Sequence, residues 1–142
     1  MSHHSLSLQL LKARDNLTNC FRSILLEYDL TEQQWRVLTV IEEKGPIDFA
    51  SLSKESYIHS PSLTGVITRM IRQGLVTKRR CFFDGRQFYI NTTPKAKVIA
   101  SKIRPRIEHE YTLVKNQLGE EKLNQLIELL DEFIFIKDKQ YS

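Results

Sequence analysis

Apolar side chains recur in steps of three and four at Leu10, Ala13, Leu17, Phe21, Ile24 and Tyr28, which predicts one long helix with a single buried stripe. That helix should stop near Asp29-Leu30, because Thr31-Glu32-Gln33-Gln34 spells a capping box. The Thr31 hydroxyl can accept from the Gln34 amide while the Gln34 side chain reaches back. A second helix carries Trp35, Leu38, Val40 and Ile41 and ends at Gly45-Pro46. Asp48 is placed to cap a short third helix over Phe49 to Glu55, with Phe49 and Leu52 inward. Ser60-Pro61 then opens a fourth helix, with serine as cap and proline in the first turn. Its inward stripe is Leu63, Val66, Ile67, Met70 and Ile71, and Gly74 closes it.

The period next falls to two. Leu75 to Phe83 and Gln87 to Asn91 alternate around the tight-turn pair Asp84-Gly85, which predicts a β-hairpin with Arg79, Arg80 and Arg86 near its tip. Thr93-Pro94 repeats the cap-then-proline signal. The stripe Ile99, Ile103, Ile107, Tyr111, Val114 and Leu118 requires a fifth, long helix, kinked at Pro105 and not divided there. After Gly119 a last helix carries Leu123, Leu126, Ile127, Leu130, Phe133 and Ile134 on one face.

Composition adds limits to this picture. The 142 residues are 41% hydrophobic and 27% charged, an ordinary balance for a folded domain. No uncharged apolar run is long enough to span a bilayer, and MSHHSLSLQLLKARDN lacks a cationic region ahead of a cleavage site, so no membrane association and no secretion are expected. Two cysteines, Cys20 and Cys81, make no disulfide framework, and a cytoplasmic location follows. The net charge of +4 is divided very unevenly along the chain. Residues 54–106 hold 12 Lys/Arg against 2 Asp/Glu, whereas 1–53 and 107–142 are net acidic. A basic middle segment between acidic ends suits a polyanion.

Two short helices across a tight turn, the second with a hydroxyl- and arginine-bearing outer face, followed at once by an arginine-tipped hairpin, describe a winged helix-turn-helix. The fold class is therefore mainly α, an α+β winged helix. Residues 31–93 are read as the DNA-binding domain, and residues 1–30 and 94–142 as a helical dimerisation domain. The terminal stripes are surplus to a core built on Trp35, Leu38, Leu52, Ile67 and Ile90, so they are expected to meet the same stripes of a second copy. A two-fold dimer places two recognition helices about 34–36 Å apart on a pseudo-palindromic operator in double-stranded DNA.

The sequence resembles the MarR family of bacterial transcription regulators over nearly its whole length. The resemblance is carried by Leu30-Thr31-Glu32-Gln33-Gln34-Trp35-Arg36-Val37-Leu38, Ser60-Pro61-Ser62-Leu63-Thr64, Arg69-Met70, Gly74-Leu75-Val76 and Asp84-Gly85-Arg86. The first of these runs, Asp48-Phe49 and the run from Pro61 to Met70 are more narrowly similar to the subgroup that regulates homoprotocatechuate (hydroxyphenylacetate) degradation operons. The resemblance implies a homodimeric repressor that leaves DNA when an aromatic acid, such as a hydroxyphenylacetate, binds between the dimerisation helices and the winged domain. It also implies that Asp84 braces the wing and Arg86 enters the minor groove. Pro105 and the apolar Cys81-Phe82-Phe83 depart from the family pattern.

The DNA-binding candidates are Ser60, Ser62, Thr64, Thr68, Arg69 and Arg72 on the fourth helix and Lys78, Arg80, Asp84 and Arg86 in the hairpin. An aromatic acid needs apolar walls and one cation, for which Arg14, Trp35, Arg36, Tyr57 and His59 are the candidates, with Arg14 meeting the carboxylate. No cofactor or metal site is expected: Glu108-His109-Glu110 reads as a solvated helix face, and His3-His4 sit at the terminus. Among other classes, a redox-sensing regulator would use Cys20, and a nucleoid-type protein would bind DNA without sequence preference. An enzyme lacks a Gly-rich phosphate loop, HExxH or GxSxG motif to build on.

Overall fold

Local capping chemistry sets most helix ends in the structure, a computed structural model that describes residues 4–80 and 87–141. Helix α1 (His4–Leu26) ends when the Asp29 N–H bonds to the Leu26 carbonyl and the Leu30 N–H to that of Leu25, with Asp29 left-handed at φ 55°. The same Schellman pattern closes α3 (Phe49–Ser56) around Tyr57, also at φ 55°, and α4 (Ser60–Arg72) around Gly74. Helix α2 (Glu32–Lys44) opens on the expected capping box. Gln34 N–H donates to Thr31 Oγ1 at 3.1 Å and Thr31 N–H to Gln34 Oε1 at 3.0 Å. Asp48 caps α3 by accepting from the Ser51 amide at 3.0 Å.

Two sequence expectations need correction here. Ser60 does not cap α4. The first helical bond runs from the Leu63 N–H to the His59 carbonyl, so His59 is the cap residue, without a side-chain bond, and Ser60 is already helical. Ile71 is 41% exposed and not inward, because the buried arc of α4 is complete with Leu63, Val66, Ile67 and Met70.

The hairpin strands β2 (Val76–Arg80) and β3 (Phe88–Thr92) pair antiparallel, from Val76 opposite Thr92 to Arg80 opposite Phe88. A two-residue strand, β1 (Ile47–Asp48), adds to β3 on its other side, giving the order β1-β3-β2. Against this sheet pack α2, α3 and α4, and the core comprises Val37, Leu38, Ile41, Leu52, Leu63, Met70, Val76 and Ile90. The protein is thus mainly α with a small antiparallel sheet. Helix α5 (Pro94–Leu118) begins with Thr93 Oγ1 accepting from the Ala96 amide at 3.2 Å and runs on through Pro105 as one helix.

Residues Met1–Arg106 form one compact unit and Ile107–Ser142 a second. In the second unit the end of α5 turns at Gly119 (φ 96°) into α6 (Glu120–Tyr141). Leu126, Ile127, Leu129, Leu130 and residues 133–136 of α6 are all exposed, as are Leu6, Leu8, Leu10 and Leu11 of α1 in the first unit.

Candidate nucleic-acid interface

Helix α4 is strongly two-sided. Leu63, Val66, Ile67 and Met70 are buried, and Ser60, Pro61, Ser62, Thr64, Gly65, Thr68, Arg69, Ile71 and Arg72 are all exposed. The Thr64 hydroxyl donates to the Ser60 carbonyl at 3.0 Å and that of Thr68 to the Thr64 carbonyl at 2.8 Å. Both oxygens therefore present lone pairs outward, suited to the amino groups of adenine or cytosine in a major groove. Gly65 stands mid-helix, where glycine costs about 1 kcal/mol relative to alanine. A Cβ there would meet nothing within 4 Å, so it leaves room for close approach from outside.

Beside this helix, Lys78 and Arg80 project from β2 onto Phe88 of β3. The Lys78 Nζ lies 4.4 Å and the Arg80 guanidinium carbon 5.5 Å from the ring centroid. Asp84 and Arg86, together with Cys81, lie outside the described residues.

The turn between α3 and α4 is held from α2. Arg36 Nη1 donates to the Ser56 carbonyl at 3.0 Å and the Tyr57 carbonyl at 3.3 Å, the oxygens left over where α3 ends. Its buried Nε lies 3.2 Å from Glu32 Oε1 in an ion pair whose N–H is not aligned for a hydrogen bond. The same carboxylate oxygen accepts from Arg14 of α1 at 3.1 Å.

Of the candidates for an aromatic acid, the structure therefore joins Arg14, Arg36 and the Tyr57 backbone around Glu32. Trp35 faces elsewhere, half-buried under Arg104 of α5, whose guanidinium carbon is 5.7 Å from the ring and which forms a bidentate ion pair with Glu42. The Tyr57 side chain is 87% exposed, and His59 is exposed at the head of α4. Glu32 escaped the sequence reading, although its position four residues before Arg36 in a helix is a recognisable pairing signal. The pairing of Glu42 with Arg104, 62 residues apart, had no such signal.

A second tie secures the far end of α4. Gln34, 1% exposed, donates to Gln73 Oε1 at 3.0 Å, and Lys95 donates to the Gln73 carbonyl at 2.7 Å. A shallow cavity of about 400 Å³ lies between α2, β3 and α5, floored by Leu38, Ile41, Ala96 and Ala100 with Lys97 at its edge. Among the described residues no helix is long and apolar enough to cross a membrane.

A grooved-side helix fixed at both ends by side-chain ties, with a cationic hairpin beside it, is the architecture of a winged helix-turn-helix DNA-binding protein. The MarR family model matches residues 30–88. The chain is 39% identical over 132 residues to the homoprotocatechuate degradative operon repressor of Escherichia coli, covering 93% of this chain and 89% of that protein. It is 35% identical to the HTH-type transcriptional regulator FarR of Neisseria gonorrhoeae, covering 96% and 93%. Among solved structures, that of NadR in complex with 4-hydroxyphenylacetate superposes with a TM-score of 0.81 at 33% identity, covering 94% of each chain. The chain belongs to the MarR family.

Proposed function

We propose that this protein is a cytoplasmic, homodimeric, sequence-specific repressor of an operon for aromatic-acid catabolism, released from its operator by a phenolic acid of the hydroxyphenylacetate type. It acts by binding, without catalysis or cofactor. The observation that carries the reading is the uncovered face of α4, whose hydroxyls, glycine and arginines are held to the sheet only from behind. The similarity to an operon repressor along 93% of the chain, and to a protein seen with 4-hydroxyphenylacetate, supports the pathway and the effector class.

In this reading residues 31–93 bind DNA, with Ser60, Ser62, Thr64, Thr68, Arg69, Arg72, Lys78, Arg80, Asp84 and Arg86 at the interface. Residues 1–30 and 94–142 hold the dimer, for which the exposed apolar faces of α1 and α6 supply surface. Arg14 and Arg36, joined around Glu32, serve the effector, with Tyr57 and His59 in the adjoining turn, whereas Trp35 faces Arg104 and is set apart from them. Because Glu32 already pairs with both Arg14 and Arg36, the trio carries one net positive charge. An entering carboxylate competes with Glu32 for Arg14, and the ligand shifts the protein only if it binds the DNA-free form better.

The test is fluorescence anisotropy with duplexes from the protein's own promoter region, with and without 4-hydroxyphenylacetate. One dimer per palindrome, preference over random DNA at matched salt, and release by the acid are the expected results. Equal affinity for both duplexes would make it a nucleoid-type binder instead.

A further inference from the structure

Two cations of the wing differ from the ion-paired arginines of this chain in what holds them. Arg14, Arg22, Arg36, Arg104 and Arg106 each pair with a carboxylate, which fixes the side chain and also cancels its charge. Lys78 and Arg80 instead lie over the Phe88 ring, and among the described residues neither has an ion-pair partner. A ring face orients a cation through its quadrupole and leaves the full positive charge available to a third party.

The register decides which way these two cations face. Side chains alternate across a strand, so Val76, Lys78 and Arg80 share one face of the hairpin with Phe88 and Ile90. Val76 and Ile90 on that face are buried in the core against which α4 packs. Lys78, Arg80 and Phe88 therefore continue, toward the wing tip, the side of the sheet on which α4 lies. Thr77, Arg79, Tyr89 and Asn91 occupy the opposite face, where they line a separate depression of about 360 Å³ with Pro46 and Pro94.

We infer that Phe88 is a positioning residue for duplex binding, holding Lys78 and Arg80 in place for the phosphates of the same duplex that α4 enters, while Arg79 stands off it. The inference rests on the DNA-binding reading above and adds which face of the wing makes contact and what orders it. Long cationic side chains that are ordered before binding lose less rotamer freedom at the interface, and here that ordering costs no charge.

Phosphate contacts are independent of sequence, so a mixed-sequence duplex of about 30 base pairs suffices as the probe, with affinity measured across a salt titration. Lys78→Ala and Arg80→Ala should each lower the slope of log K against log salt by about one per wing engaged, and Arg79→Ala should leave it unchanged. Phe88→Leu should weaken binding roughly three- to tenfold at fixed salt, and Phe88→Tyr, which keeps the ring face, should match the wild type. An Arg79→Ala variant that loses as much slope as Arg80→Ala would overturn the face assignment. Wild-type affinity in Phe88→Leu, or an equal loss in Phe88→Tyr, would overturn the role of the ring. If the unaltered protein ignores duplex DNA in dilute salt, the DNA-binding reading itself falls.

Discussion

Replacing Arg36 with methionine keeps the aliphatic stem on α2 and removes the charge and donors that hold the α3–α4 turn. In the structure Nη1 serves two carbonyls, Ser56 at 3.0 Å and Tyr57 at 3.3 Å, at the end of an eight-residue helix whose last oxygens have few other partners. A hydrogen bond from a charged donor contributes about 1.5–3 kcal/mol net. Arg36 is 27% exposed on its side chain, and both bonds come from one nitrogen, so water recovers part of the loss. The expected cost is about 1–2 kcal/mol, less than the full value of two charged bonds. With a urea m-value of about 1–3 kcal/mol/M, the unfolding midpoint should fall by roughly 0.5–1 M at unchanged slope. Operator affinity should fall as well, because the turn sets where α4 begins. The salt slope of binding should not move, since a residue facing carbonyls releases no counterions. A urea midpoint within about 0.2 M of wild type would refute the brace, as that is well below the loss worked out above. A salt slope reduced by about one would make Arg36 a phosphate contact instead. Loss of the response to 4-hydroxyphenylacetate with stability intact would place it at the effector.

Two further substitutions separate the faces of α4. Leu63→Ala, at a position with no exposure, should cost about 2–5 kcal/mol in thermal or urea unfolding. Thr68→Ala should stay within about 0.5 kcal/mol in the same measurement while weakening operator binding about tenfold. Comparable melting losses in both would mean that the outer face of α4 is structural. The acid limb of stability carries a signature of the α3 cap. The Ser51 hydroxyl and then its amide, both donating to Asp48, hold that carboxyl below its usual range. A depressed pKa in the folded state stabilises at pH above the unfolded value and is lost as pH falls through the folded one, below about pH 4. Asp48→Asn keeps an acceptor at the cap and should flatten the fall in unfolding free energy below about pH 4, and an unchanged profile would remove Asp48 from the acid transition.

Much of this protein is legible in order along the chain, because the chemistry that starts and stops a helix is local. Thr31 and Gln34, Asp48 and Ser51, and Thr93 and Ala96 are each three residues apart, and each pair closes as a hydrogen bond that its residue types anticipate. The switch from a period near four to a period of two at Leu75, and the concentration of cations in the same stretch, likewise mark out the winged unit without reference to any partner. One local signal misled, since Ser60-Pro61 reads as a cap although the chain enters α4 one residue sooner.

What could not be read was everything that depends on which stripe meets which. Two residues at Ile47–Asp48 are too few to show a strand period, and they become β1 only because β3 offers an unpaired edge. Arg36 and Arg14 looked alike as free cations until the fold set Glu32 between them and the Ser56 and Tyr57 carbonyls beside one of them. Strand period alone separates Lys78 and Arg80 from Arg79, but only pairing with Phe88 and Tyr89 decides which of the two faces lies on the side of α4. Periodicity says that a residue has a buried or an outward side but not the identity of its neighbour. That identity follows from packing across 20 to 60 positions of chain, where direction and distance exist only after the core has closed.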